Sequence, residues 1–117
     1  MDYEEQKKRN EHIQDAVRTH LVLERDLKVE SFDEWSVIGT EGDVTVLVRI
    51  LLDTSDGPVP ELNLTEGMLK GMRREILLHM LDHEDVEEAR GDFIAVQVTE
   101  KGSIRVRHIV GAVEVKA

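Results

Sequence analysis

Apolar and polar positions alternate in distinct registers along the chain. Ile13, Val17 and Leu21 recur every four residues, with Ala16 and His20 beside them and charges elsewhere. That spacing predicts an amphipathic helix lying on a larger surface. Residues 1–8 are expected to fray, because nothing apolar beyond Tyr3 anchors them. Leu27-Lys28-Val29-Glu30 alternates as a short strand does, and Trp35 to Ile38 is a second short apolar stretch. Glu41-Gly42-Asp43 predicts a tight turn, since glycine supplies a positive φ without steric cost. Val44 to Leu52 is the strongest strand. Val44, Val46, Val48 and Ile50 mark one face and Leu47 and Leu51 the other, so both faces should be covered. The turn and its flanking strands predict a hairpin.

Thr54 to Asn63 holds Gly57, Pro58 and Pro60 and predicts a loop. Thr65 is a suitable N-cap, with Glu66 favourable in the first turn. Met68, Met72, Ile76, Leu77, Met80 and Leu81 then keep helical spacing up to Asp82. Gly67 and Gly71 each cost such a helix roughly 1 kcal/mol against alanine, which predicts a close approach to a sheet. Asp85 to Gly91 is expected to be a helix end and loop. Phe93 to Val98 predicts a strand, Lys101-Gly102 a turn, and Ile104 to Val110 the returning strand. Ile104, Val106, His108 and Val110 share one face of it, Arg105 and Arg107 the other. Gly111 is expected to break that strand before Val113 to Val115. The order α-β-β-β-α-β-β predicts an α/β architecture, a mixed central sheet of about five strands flanked by two main helices.

The 117 residues fit one domain, 1–117. Apolar residues make up 40% of the chain and aromatics 3%, so the core must be aliphatic. With 25 acidic and 15 basic side chains the net charge is -10, which excludes a generally basic nucleic-acid coat and argues against binding to anionic membranes. With no cysteine there is no disulfide framework, thiolate metal site or cysteine nucleophile. The charged start MDYEEQKKRNEH is not a secretory signal, and apolar runs such as Ile50-Leu51-Leu52 are too short for a membrane span. These features lead us to expect a cytoplasmic protein.

Several segments in this order resemble the YraN family of restriction-endonuclease-like (Holliday-junction-resolvase-like) fold. Asp33-Glu34-Trp35-Ser36-Val37-Ile38-Gly39 stands where that family carries G-E-I-D-L-I-A. Glu41-Gly42-Asp43 matches its D-G-D turn, Val46 to Asp53 its V-F-V-E-V-K-T-R strand, and Pro60-Glu61 its P-E-E-A loop. Arg90-Gly91-Asp92-Phe93-Ile94-Ala95-Val96 is similar to R-F-D-V-V-A-V, and Ile104 to Ala112 to the closing I-E-H-I-E-G-A-F. The resemblance covers residues 11–113 and implies the nuclease fold. Nucleases of this fold hold a divalent metal with an acid followed by an acid-x-lysine pair, the metal taking oxygen ligands. Those positions fall here on Ser36, Arg49 and Leu51; of the pattern acids only Glu34 remains. The resemblance therefore implies a vestigial site at Glu34, Ser36, Arg49 and Leu51, and a protein that acts by binding a protein partner or, weakly, nucleic acid. The alternatives are an Mg2+- or Mn2+-dependent nuclease with relocated acids such as Glu34, Glu41, Asp43 and Asp53, or a protein that dimerises through a strand edge.

Other constellations carry less. Glu114-Val115-Lys116, with Asp92 upstream, spells an acid-x-lysine triplet outside its usual context and reads as a polar strand tail. His79 and His83, with Asp82 or Glu84 nearby, share a helix face, but Met80 stands where the zinc-protease glutamate belongs. They read as solvent-facing histidines near a helix C-terminus. His20 and His108 read as half-buried packing residues. Lys70, Arg73 and Arg74 on the second helix and Arg105 and Arg107 on the closing strand are the candidate phosphate contacts, with a solvated surface as the simpler reading. Met68, Met72 and Met80 read as core. Serines 31, 36, 55 and 103 show no base or acid partner, which leaves a hydrolase triad unsupported.

Overall fold

The computed structural model describes residues 2–117. Its elements are α1 (Tyr3–Thr19), a π-helical turn (His20–Glu24), β1 (Lys28–Phe32), β2 (Ser36–Glu41), β3 (Val44–Asp53), α2 (Glu66–Asp82), β4 (Glu88–Val98) and β5 (Ile104–Lys116). The predicted order holds. The sheet runs β1-β2-β3-β4-β5. The first three strands form an antiparallel meander, β3 and β4 are parallel, and β5 returns antiparallel. A parallel pair cannot be closed by a tight turn, and the segment that carries α2 supplies the crossover. Gly42, at φ +61°, turns β2 into β3.

The period-two alternation in β3 sorts its side chains between two cores. Val46, Val48 and Ile50 join Ile94 and Val96 under Ile13, Val17 and Leu21 of the first helix. Leu47 joins Ala89, Phe93 and Val113 under Met72 and Ile76 of α2. The sheet is thus sandwiched between two helices. Among the described residues no helix is long and apolar enough to cross a membrane.

Of the segment expected to fray, residue 1 lies outside the described residues and Tyr3 onward belongs to α1, which Asp2 caps, its Oδ1 accepting from the Glu5 amide at 2.8 Å. Three local expectations change. β4 begins at Glu88 instead of after Gly91. The charges in Glu88-Ala89-Arg90-Gly91-Asp92 concealed an alternation in which Ala89 and Gly91 face α2 while Arg90 and Asp92 face the other side. Gly111 does not end β5. It sits at φ +66° in a bulge opposite Asp92, between the pairs Gly91↔Val113 and Phe93↔Ile109, and the strand continues to Lys116. The close helix–sheet approach is made by Gly91 and not by Gly67 or Gly71. A Cβ on Gly91 would stand 2.6 Å from Met72 Sδ, whereas one on Gly71 would meet nothing within 4 Å.

Candidate functional site

Three of the four vestigial positions come together. Ser36 and Arg49 are directly paired across β2 and β3, and Leu51 lies two residues along the same face, under α2. Arg49 reaches over to an ion pair with Glu75 of α2. The pair lines two adjoining cavities along the strand–helix groove. One is about 200 Å3, walled by Leu51, Met68, Met72 and Phe93; the other is about 310 Å3, walled by Ser36, Ile38, Leu47 and Leu78. The Arg49–Glu75 pair and apolar walls therefore fill the groove at Ser36, Arg49 and Leu51, the positions to which the resemblance assigns the metal-binding pattern. Glu34 is elsewhere: its carboxylate accepts from Asn10 Nδ2 at 3.4 Å and its carbonyl from Gln14 Nε2 at 3.1 Å, both on α1.

The relocated acids are engaged separately. Glu41 accepts from Arg90 at 2.7 Å and lies 3.6 Å from Arg25. The Arg90 hydrogen bond holds its carboxyl below the usual value against an opposing effect of burial, with the Arg90 and Arg25 charges adding to the shift. Asp53 closes the loop after β3, accepting from Ser55 N at 2.9 Å, Ser55 Oγ at 3.0 Å and Glu61 N at 2.8 Å. Among the described residues no three His, Cys, Asp or Glu side chains are grouped to hold a metal ion. The candidate phosphate contacts are dispersed. Lys70 pairs with Glu66 at 3.1 Å and, with Arg73, lines a groove against Ala112 to Glu114. Arg105 donates to the Pro58 carbonyl at 2.8 Å, and Arg74 and Arg107 are exposed. His79 and His83 stack at 4.0 Å, with the His83 Nδ1–H donating to the His79 carbonyl. Burial and then the charge of His83 lower the His79 pKa.

The densest polar assembly lies on the opposite face of the sheet, beneath the π-helical turn. Sequence reasoning reached its histidines only as packing residues. Asp92 is fully buried in β4. Its Oδ2 accepts from His108 Nε2 at 2.9 Å; its Oδ1 accepts from Gly111 N at 2.8 Å and Arg90 Nε at 3.1 Å. The bulge in β5 aims that Gly111 amide inward. His108 Nδ1 lies 3.0 Å from His20 Nε2, and His20 Nδ1 lies 2.9 Å from Glu24 Oε2. An i→i+5 bond, Arg25 N to the His20 carbonyl at 3.2 Å, marks the π turn that carries His20. Asp26, at φ +56°, then ends the helix in the left-handed region that Asp tolerates better than most residues. Burial alone would raise the Asp92 pKa, but the hydrogen bonds from His108, Gly111 and Arg90 together with the Arg90 charge bring it below the usual value. Burial works against the Arg90 charge, and its contacts with Glu41 and Asp92 more than offset this, so its pKa is raised. The signal available in the sequence was a histidine at the third step of the apolar face Ile104-Val106-His108, with the Arg90–Asp92 pair inside an otherwise apolar strand.

No family model, curated protein or solved structure matches this chain.

Proposed function

We propose that this protein is a catalytically silent, YraN-like member of the restriction-endonuclease-like group, cytoplasmic, acting by binding a protein partner. The observation that carries the reading is the Arg49–Glu75 ion pair. It sets a fixed positive charge beside Ser36 and Leu51, where catalysis would require a divalent cation and its carboxylates. A protein partner is favoured over nucleic acid by two features. The cationic side chains are dispersed and partly engaged, on a chain of net charge -10. Leu77, Leu78 and Leu81 are 45%, 50% and 75% exposed on α2, and Leu78 lines the Arg49 groove.

The test is an assay with Mg2+ and Mn2+ on branched and single-stranded DNA, with melting temperature followed in parallel. The expected result is no cleavage and no metal-dependent shift, because a ligand that binds only the native state raises its stability. Metal-dependent cleavage lost in Glu34→Ala overturns the reading in favour of an enzyme with relocated acids.

A further inference from the structure

We infer that His20 and His108 together hold one proton more than two neutral rings would, and that this shared proton clamps the π-helical turn to β4 and β5. The inference rests on the row Glu24–His20–His108–Asp92, whose three contacts measure 2.9, 3.0 and 2.9 Å, and is independent of the proposed function. Ionised carboxylates only accept hydrogen bonds, and a neutral imidazole donates from one nitrogen and accepts at the other. Each contact therefore needs one proton from a ring nitrogen. Two neutral rings supply only two. With both rings neutral, one of the three contacts lacks its proton: His20 and His108 face each other with lone pairs, or Glu24 loses its donor, or Asp92 loses the His108 donor. With both rings fully protonated, two N–H groups meet across 3.0 Å. One excess proton satisfies all three contacts, whether it resides on His20 or on His108. The two arrangements differ by transfer of one proton across a single short contact.

The surrounding charges favour the same count. Glu24 and Arg25 belong to the turn region, Glu41 to β2, and Arg90 and Asp92 to β4, while β5 adds the uncharged Gly111 amide. Three carboxylates and two guanidiniums thus form one connected cluster with the pair, Glu24 and Asp92 touching it directly and Arg90, Glu41 and Arg25 following through ion pairs, and one imidazolium brings that cluster to neutrality. A zinc ion is a poorer bridge. Zn–N bonds of about 2.0–2.1 Å at a tetrahedral centre hold nitrogens farther apart than 3.0 Å, and among the described residues no three His, Cys, Asp or Glu side chains are grouped to hold a metal ion. The clamp acts on the segment from His20 to Leu27, which is also held by the buried Leu21 and Leu27, by the Arg25–Glu41 pair at 3.6 Å and by Leu27 N donating to the Leu21 carbonyl at 2.9 Å. That segment also presents Leu23, which is 76% exposed.

Glu24→Gln separates this proposal from a merely structural role. A glutamine amide can donate to His20 Nδ1, so the row keeps all its hydrogen bonds with two neutral rings and no excess proton. The experiment is NMR on the full chain from about pH 6 to about pH 9, the range around ordinary histidine titration. It reads the His20 and His108 ring nitrogens and the amide exchange of residues 20–27, corrected for intrinsic rates. In the wild type we expect three ring protons on the pair at the acidic end and loss of one shared proton on going basic. Opening of residues 20–27 should rise roughly three- to tenfold with that loss, the modest effect of one bond to an exposed carboxylate. In Glu24→Gln the same opening should vary by less than about twofold. Two neutral rings throughout in the wild type, a parallel pH response in the two proteins, or stoichiometric zinc at the pair each overturns the inference.

Discussion

Arg49 of β3 and Glu75 of α2 pair across the groove between strand and helix, closing it between Leu51 and Ser36. Their side chains are 40% and 44% exposed, so water screens the pair and its net contribution is small, about 1 kcal/mol or less. Arg49→Ala is therefore expected to lower the unfolding free energy by no more than about 1 kcal/mol, read from urea denaturation. A loss above about 3 kcal/mol would mean that the guanidinium behaves as half of a buried ion pair.

Asp92 is the opposite case. It is buried, and the donors it satisfies come from His108, Gly111 and Arg90. Removing it leaves a guanidinium and a histidine facing a cavity, and Asp92→Ala should cost about 3–5 kcal/mol. The pH dependence follows from its lowered pKa. A carboxyl held below its ordinary value contributes stability fully above that value, here 3.8, and loses it as pH falls through the folded value. Melting temperature followed below about pH 5 should therefore fall less steeply in Asp92→Asn than in the wild type. Equal slopes would assign acid unfolding to other carboxylates, Glu41 first among them.

What the sequence revealed and what it hid have separate physical origins. β3 was legible because Val44 to Leu52 repeats with period two and both its faces are apolar. α2 was legible down to its cap: Thr65 Oγ1 accepts from Met68 N at 3.2 Å, as a capping threonine should. The start of β4 was not, because Arg90 and Asp92 are charged, and their mutual contact, the reach of Glu41 and the His108 and Gly111 donors to Asp92 make their burial tolerable. The Glu24–His20–His108–Asp92 row joins three segments of the chain, the π turn, β4 and β5, and no local pattern reports such a meeting. The π turn that places His20 was equally invisible. Ile13, Val17 and Leu21 keep ordinary helical spacing straight through it.

Gly39 marks a place where β1 and β2 approach unusually closely. A Cβ there would meet the Lys28 carbonyl oxygen at 2.6 Å and Leu27 Cγ at 3.1 Å. The first obstacle is backbone, which cannot swing aside as a side-chain end can, and β1 already slips register between Val29 and Ser31. Gly39→Ala should push β1 off the sheet edge and cost about 1–3 kcal/mol. The check is amide protection across Lys28–Phe32 together with global stability. Unchanged protection in the folded variant would show that β1 yields without leaving the sheet.

Asp53 sets the shape of the chain between β3 and α2. Its two oxygens collect the Ser55 amide and hydroxyl and the Glu61 amide, and Gln97 then donates to the Ser55 and Gly57 carbonyls at 2.9 and 2.7 Å. The amide of Ser55 first, then that of Glu61, lowers the Asp53 pKa against a smaller opposing effect of burial. The loop should therefore stay ordered above the ordinary value of 3.8 and loosen as pH falls through the lower folded value. Substitution should rank by the acceptors it retains. Asn keeps one oxygen for the Ser55 amide, whereas Ala keeps none. Limited proteolysis between Thr54 and Asn63 at neutral pH is expected to be slowest for the wild type, faster for Asp53→Asn and fastest for Asp53→Ala, with the rest of the fold intact. Equal cleavage rates in all three would show that Gln97 and Arg105 hold the loop without the carboxylate, through the carbonyls of Ser55, Gly57 and Pro58.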